Sequence, residues 1–277
     1  MKIKSLDMGS KEPPSNINVK SIDENQIAAL ISITGEYPLT LYVNKIPLVT
    51  LMTMGQHPEA LSVGYLVNQG LISSINDISS VTVDWETNSS IIVLSNKINI
   101  EEQRLAERTI TSGCGQGTML GNLLEKTDEI ELPDSTHISK GTLYKILHDI
   151  RQRETVYKTS GAVHGCALLE AEKVIYFIED VGRHNAVDTI AGKMVMEDIK
   201  GQNKYFYTTG RLTSEMVIKC AQMRIPVLIS RSGVTHMGWK IAKDINLTMI
   251  GRAKGKHFLL FSGESRFLFD EAEYAEN

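Results

Sequence analysis

Cysteine is scarce in this 277-residue sequence, which has three, at positions 114, 166 and 220. An odd number in a chain of this length does not form the disulfide framework of a small secreted domain. The sequence also lacks an apolar run of the about 18 residues that a membrane helix needs. Its first residues contain no apolar segment typical of a secretory signal. These absences predict a cytoplasmic protein that does not bind membranes.

Metal-binding patterns are missing as well. The sequence contains no C-x-x-C pair and no H-E-x-x-H pattern, which are the commonest arrangements of zinc ligands. It also lacks the H-x-E…P-C-x-x-C pattern of the zinc-dependent deaminases. We therefore expect no zinc or other resident metal, and a nucleotide deaminase or hydrolase is the least favoured of the functions considered.

The charge of the chain is unevenly distributed. Hydrophobic residues make up 42% and charged residues 22% of a chain with net charge -4, which is typical of a folded globular protein. Residues 201–260, however, contain ten Lys and Arg against two Asp and Glu. A basic region in an acidic protein indicates an anionic ligand, although a solvated basic surface explains it equally well. No nucleic-acid partner is expected.

The hydrophobic pattern predicts two folded units of the α/β class. Short strands at Leu39–Val43, Pro47–Met52 and Ile91–Leu94 surround a helix from His57 to about Gln69, which Gly70 ends. After about residue 140, strands and helices alternate, as in a three-layer domain with helices covering a mixed sheet. We predict a flexible N-terminus (1–16), an N-terminal α+β domain (17–100), a linker and loop (101–135), an α/β domain (136–265) and an acidic tail (266–277).

Cys114 is the candidate nucleophile. It lies in a loop, Thr111–Thr118, with glycines at 113, 115 and 117, and such a loop leaves a thiol accessible. Sulfur transfer requires a thiolate that attacks a persulfide, holds its terminal sulfur and presents it elsewhere. An incidental cysteine in a turn is the alternative. Cys166 and Cys220 lie among apolar residues and are predicted to be core residues.

Three further segments are candidates for binding an anion. In Glu179–Asp188 a strand passes into a helix, which Asn185 is predicted to cap, leaving Arg183, His184 and backbone N–H groups for an oxyanion. A second strand-to-helix turn contains Thr209, Gly210 and Arg211, with Thr213 or Ser214 as the helix cap. A basic turn between two late strands spans Arg252–His257. Each segment also reads as an ordinary cap or loop. His164, next to small residues, is a further candidate ligand residue, although a lone histidine is more often structural.

Taken together these segments resemble the FdhD-type family of formate dehydrogenase accessory sulfurtransferases, over roughly residues 36–262. The block EDVGRHNAVD at 179–188 is the most specific part of the resemblance. The other matching segments, in the same order along the chain, are Pro38-Leu39, Val43-Asn44, Leu61–Leu66, Gly70–Ile72, the Cys114 loop, Gly161 with His164, and Thr209–Arg211 with Glu215.

The resemblance implies more than the residues alone do. It implies a C-terminal domain similar to cytidine deaminase but without its zinc chemistry, and a homodimer. Members receive sulfur from a cysteine desulfurase and pass it to molybdenum bis(molybdopterin guanine dinucleotide), which activates formate dehydrogenase. Cys114 matches the persulfide-carrying cysteine. The residues that match the cofactor-binding segment are Arg252, Ala253, Lys254, Gly255, Lys256 and His257.

One departure concerns the loop of Cys114. Many members have a C-x-x-C motif there, whereas this chain has Gly117 at the second position, so no disulfide forms within that motif. We expect a single persulfide-carrying cysteine to suffice. The principal alternative function is a chaperone that binds molybdenum cofactor without moving sulfur, for which Cys114 would be dispensable.

Overall fold

A computed structural model describes residues 12–95, 109–110, 117–118, 130, 132–153 and 155–269. Cys114, the predicted helix at 101–108 and the chain beyond 269 lie outside the described residues. The described residues belong to two compact units. Unit 1 draws on the ranges 1–107, 154–165 and 178–198, and unit 2 on 108–153, 166–177 and 199–277. Each unit is therefore discontinuous in sequence, unlike the predicted domains.

The described residues form six α-helices. No helix among them is long and apolar enough to span a bilayer. The helices are α1 (Pro58–Asn68), α2 (Lys140–Arg153), α3 (Val156–Ser160), α4 (Arg183–Met196), α5 (Ser214–Gln222) and α6 (His236–Asp244).

The strands form several sheets, and the longer ones agree with the hydrophobic pattern. In unit 1 they are β1 (Asn16–Ile22), β2 (Ala28–Thr34), β3 (Tyr37–Val43), β4 (Ile46–Thr53), β5 (Ile78–Asp84) and β6 (Ser89–Leu94). The others are β7 (Thr109–Ile110), β8 (Gly117–Thr118), β9 (Ile138–Ser139), β10 (His164–Glu170), β11 (Lys173–Asp180), β12 (Lys204–Thr208), β13 (Val227–Ser230), β14 (Thr248–Lys254), β15 (His257–Ser262) and β16 (Phe267–Leu268).

Unit 1 contains a four-stranded sheet in the order β4-β3-β6-β5. Alternate residues of β3, namely Leu39, Leu41 and Val43, are fully buried, as expected of a sheet with one face against a core. Helix α1 packs against β5 and β6. The predicted helix end at Gly70 is confirmed: Gly70 has φ 68°, and its N–H donates to Val67 O at 2.9 Å.

Helices α1 and α4 of unit 1 are in backbone contact. A Cβ atom added at Gly64 would lie 1.7 Å from Asp188 O, and one added at Gly192 would lie 1.8 Å from Ala60 O. Only glycine permits this approach. The sequence-based boundaries assigned α4 to the C-terminal domain, whereas the structure places it in unit 1 because the two glycines let it pack on α1.

Unit 2 is built on a six-stranded sheet in the order β11-β10-β12-β13-β14-β15. Strands β12, β13 and β14 are parallel, and β10 and β15 pair antiparallel with β12 and β14. Residues on both faces are buried. One face packs with α2 through its predicted apolar residues Leu143, Ile146, Leu147 and Ile150, and on the other Phe206 and Leu228 are fully buried. This confirms the predicted α/β class.

The folded part of unit 2 extends past its predicted end. Strand β16 pairs in parallel with β9. The fully buried Arg266 donates to Pro133 O at 2.9 Å and to Asp134 Oδ1 at 2.8 Å. Burial lowers the pKa of Arg266, and the Asp134 carboxylate opposes that shift. The prediction of a tail starting at residue 266 is therefore wrong at its start, because a guanidinium with these partners fixes the chain.

Candidate functional site

The carboxyl ends of three parallel strands meet at one edge of the unit 2 sheet. Ligands of α/β proteins bind at such edges, in the loops that follow the strands. We call residues 208–213, 230–236 and 251–257 the strand-end cluster, because they follow or end β12, β13 and β14. Its basic side chains come from all three segments and are Arg211, Arg231, Arg252, Lys254 and Lys256.

Serine and threonine hydroxyls bind the first two segments of the cluster together. Ser230 Oγ donates to Gly210 O at 2.6 Å, and Ser232 Oγ donates to Thr209 O at 2.7 Å. Gly210 N in turn donates to Thr208 Oγ1 at 3.0 Å. Because the two serine bonds cross from one strand end to the next, the Thr209–Gly210–Arg211 turn has a fixed conformation before any ligand arrives.

Two helices begin in the strand-end cluster. Thr213 is the N-cap of α5 and Thr235 that of α6, so Thr213 is confirmed among the two caps considered. Thr235 Oγ1 accepts from Gly238 N at 3.3 Å. Thr213 Oγ1 is buried and makes no hydrogen bond with any residue that the structure describes. A buried hydroxyl without a partner, next to helix N–H groups, fits an oxyanion ligand.

The third segment differs from the predicted turn. Arg252, Ala253 and Lys254 belong to β14, and only Gly255 and Lys256 connect it to β15. Arg252 and Ala253 together face one residue of β15, so β14 has a bulge there. Arg252 has φ 51° and is exposed, as are Lys254, Lys256 and His257. The hairpin therefore presents positive charge at the cluster, as an anion-binding site requires.

In unit 1, the Glu179–Asp188 segment serves mainly to hold the chain together. The buried Asp180 accepts from Thr53 Oγ1 at 2.6 Å, Met54 N at 3.1 Å, Gly182 N at 2.9 Å and Asn185 Nδ2 at 2.8 Å. Burial raises the pKa of Asp180, and these four hydrogen bonds oppose the shift. The carboxyl thus joins β4 to the start of α4.

Asn185 does not cap α4, contrary to the sequence prediction. The helix begins two residues earlier, with Gly182 as its N-cap. The side chain of Asn185 donates to Asp180 Oδ1 and, at 2.7 Å, to Met52 O. Its amide is therefore used inside unit 1, because the neighbouring strand and carboxylate offer acceptors that a single sequence does not reveal.

Glu179 stabilises the start of α3. Its Oε2 atom accepts from Thr155 N at 3.1 Å and Val156 N at 3.0 Å, and its Oε1 accepts from Tyr157 N at 3.0 Å. These are first-turn N–H groups, which lack partners within a helix. Glu179 and Asp180, the acidic residues that open the segment Glu179–Asp188, thus stabilise the fold of unit 1.

Replacing Asp180 with alanine should destabilise the fold by about 3 kcal/mol, since four buried donors lose their acceptor. Urea unfolding of the variant and the wild type measures this. Asp84→Ala is the control. Asp84 accepts hydrogen bonds from Glu86 N and Thr87 Oγ1, but at the surface water can replace its carboxylate as the acceptor. Equal effects of the two variants would contradict the structural role of Asp180.

The other predicted ligand residues of unit 1 lie at the ends of its elements. Arg183 and His184, the first residues of α4, are buried. His164 is the half-buried first residue of β10. The structure brings Arg183, His184 and Asn185 together in one helical turn, and their assignment to cofactor binding stays a prediction.

The two described cysteines are core residues, as predicted. Cys166 is fully buried and its Sγ donates to Thr208 Oγ1 at 3.3 Å. Burial raises the pKa of the Cys220 thiol, and the nearby Cys166 adds to the shift, so this thiol stays protonated and unreactive. Cys114 lies outside the described residues, in the sequence between the paired strands β7 and β8. Its role as nucleophile stays a prediction.

No metal site emerges from the described parts of the chain: nowhere do three His, Cys, Asp or Glu side chains group so as to hold an ion. The expectation that no zinc is bound stays a prediction. Sequence reasoning missed Ser230, Arg231 and Ser232, which the structure adds to the cluster. The signal available was the run Ser-Arg-Ser-Gly, which begins at the last residue of the apolar strand Val227–Ser230.

Comparison with known proteins identifies the family. The model of the FdhD/NarQ family matches residues 34–268. The chain belongs to the FdhD/NarQ family. A relative from Listeria monocytogenes serotype 4b, named sulfur carrier protein FdhD, is 30% identical over 241 residues, covering 85% of this chain and 91% of the relative. One of the same name from Wolinella succinogenes is 30% identical over 235 residues, covering 83% and 80%.

A solved structure also matches this FdhD/NarQ chain. It is described as a formate dehydrogenase accessory protein from Desulfotalea psychrophila and has 25% sequence identity and a TM-score of 0.75. The match covers 92% of this chain and 100% of that one. The family resemblance and the α/β fold expected from the sequence are thus both confirmed.

Proposed function

We propose that this protein is a sulfurtransferase that carries sulfur as a persulfide on Cys114 for the activation of a formate dehydrogenase. The names of its relatives, sulfur carrier and formate dehydrogenase accessory protein, support the role. The two other cysteines are buried thiols, which leaves Cys114 as the thiol suited to exchange. A cysteine desulfurase is the proposed donor, and molybdenum bis(molybdopterin guanine dinucleotide) the proposed acceptor.

Loading of Cys114 is a thiol exchange. The Cys114 thiolate attacks the terminal sulfur of the persulfide on the desulfurase. A new sulfur–sulfur bond forms at Cys114 while the donor's bond breaks, and the donor cysteine leaves as a thiolate. The terminal sulfur keeps its proton, so Cys114 ends as Cys114–S–SH and no net oxidation or reduction occurs.

The strand-end cluster is the observation that carries the acceptor half of the proposal. A dinucleotide cofactor presents pyrophosphates, and the cluster combines three exposed basic residues of the β14–β15 hairpin with two helix N-termini. Thr209, Gly210 and Arg211 lie on a turn that hydroxyls already hold in place. Backbone N–H groups at helix starts and flexible cations are the usual phosphate ligands of α/β proteins.

Delivery of the sulfur requires a reductant if it reaches the metal as sulfide. The outer sulfur of the Cys114 persulfide is then reduced by two electrons. The reduced metal of the bound cofactor supplies them, or two external thiols supply them and are oxidised to a disulfide, and the Cys114 thiolate is released. Gly117 stands where a second loop cysteine is found in many relatives, so that position contributes no thiol here.

Guanosine diphosphate is the probe for the acceptor half. We expect the wild-type protein to bind it and Arg252→Ala to bind it roughly tenfold or more weakly, because a cation to the phosphates is lost. Isothermal titration calorimetry measures both. Arg151→Ala, which removes an exposed arginine from α2, is the matched control and should bind as the wild type does. No binding by the wild-type protein would remove the nucleotide cofactor from the proposal.

A further inference from the structure

Backbone strain in the described residues is confined to turns and helix ends, with one exception. Ten of the described residues, none of them glycine, have positive φ, a conformation that costs an L-residue about 1–2 kcal/mol. Arg252 is the one that lies inside a strand, β14. A strained residue within a strand is a reason to look for a function there.

The bulge at Arg252 changes which residue enters the core. Side chains of a regular strand alternate, so Arg252 would share the face of Ile250, which packs in the apolar cluster under α2. The extra residue instead places Ala253 in that cluster, almost fully buried, and leaves Arg252 exposed. The bulge therefore keeps a guanidinium out of the core and turns it toward solvent at the strand-end cluster.

The strained backbone is held by the neighbouring strand end. Arg252 N donates to Ser232 O at 2.9 Å. Ser232 is itself held by two hydrogen bonds. Its Oγ donates to Thr209 O at 2.7 Å, and its backbone N–H donates to Ser230 Oγ at 2.9 Å. One residue thus connects the Thr209 turn to Arg252.

We propose that Ser232 is a positioning residue, whose hydroxyl sets the Thr209 turn and the Arg252 guanidinium in the arrangement that receives a phosphate-bearing ligand. The identity of that ligand rests on the proposed function. Without the hydroxyl, residue 232 loses its bond to Thr209 O and keeps only the bond from its N–H to Ser230 Oγ, so the acceptor of the Arg252 N–H is held by one bond instead of two. The cations remain but are held less firmly before binding, so the ligand must order them.

The test compares three serine variants. Ser232→Ala should bind guanosine diphosphate roughly tenfold more weakly than the wild type, and amide exchange at Arg252 should accelerate. Ser232→Thr keeps the hydroxyl and should restore both. Ser262→Ala removes an equivalent bond, from Ser262 Oγ to Leu247 O at 2.7 Å, away from the cluster. It should lower the melting temperature but leave the affinity unchanged.

Each outcome decides the proposal. Wild-type affinity in Ser232→Ala, together with weak binding by Arg252→Ala, would overturn the positioning role and leave the proposed function standing. Loss of affinity in Ser262→Ala equal to that in Ser232→Ala would reduce the effect to general destabilisation, which also overturns it. If the wild type binds no guanosine diphosphate, the proposed acceptor fails. Independently of binding, unchanged amide exchange at Arg252 in Ser232→Ala would overturn the positioning role.

Discussion

Cys114→Ser should abolish support of a dependent formate dehydrogenase, lowering its activity by roughly two orders of magnitude or more. A serine hydroxyl stays protonated at neutral pH and does not form a persulfide, so the sulfur has no carrier. The measurement is formate oxidation in extracts of cells whose only copy of this protein is the variant. The expected loss is large because the described cysteines are buried and do not replace Cys114.

Two matched variants control for loss of the fold. Cys166→Ala and Cys220→Ala each remove a thiol from the core of unit 2 and should keep the activity in proportion to the amount of folded protein. Full activity of Cys114→Ser would instead favour the cofactor chaperone, for which this residue is dispensable.

Gly64→Ala should destabilise the protein by about 4 kcal/mol or more, comparable with the whole stability of a marginal domain. The new methyl group would lie 1.7 Å from Asp188 O, so α1 and α4 must separate. In an exposed helix interior, alanine is more stable than glycine by about 1 kcal/mol. Helix propensity alone would therefore make Gly64→Ala stabilising, whereas close packing makes it destabilising. Soluble yield and urea unfolding measure it.

Gly233→Ala is the control for that variant. A Cβ at Gly233 would have no atom within 4 Å, and its φ is not in the left-handed region, so the stability should change little. An equal or greater stability of Gly64→Ala relative to the wild type would contradict the backbone contact between the two helices.

Local patterns in the sequence were sufficient to predict most elements. The apolar spacing of Leu143, Ile146, Leu147 and Ile150 predicts α2, and the run Val227–Ser230 predicts β13, because each depends on neighbours a few residues away. The turn at Thr209–Arg211 and its cap at Thr213 were likewise predictable, since a strand, a glycine and a hydroxyl residue follow one another.

Features that depend on distant contacts were not predictable. The packing of α4 on α1 requires Gly64 and Gly192, which are distant in the sequence, to meet. Likewise, 127 residues separate Thr53 from the Asp180 carboxyl that joins β4 to the start of α4. The bulge at Arg252 depends on pairing with β15 and on the hydrogen bond to Ser232 O. The sequence of residues 251–257 alone is equally compatible with a basic turn. The prediction that Asn185 caps α4 is wrong for the same reason, since its amide donates to Met52 O, which is distant in the sequence.

The most direct test of the central claim is the intact mass of the protein after incubation with a cysteine desulfurase and cysteine. We predict an adduct of about 32 Da, one sulfur atom, on the wild type and on Cys220→Ala, absent from Cys114→Ser, and removed by a thiol reductant. An adduct of the same size on Cys114→Ser, or none on the wild type while guanosine diphosphate still binds, would contradict the account.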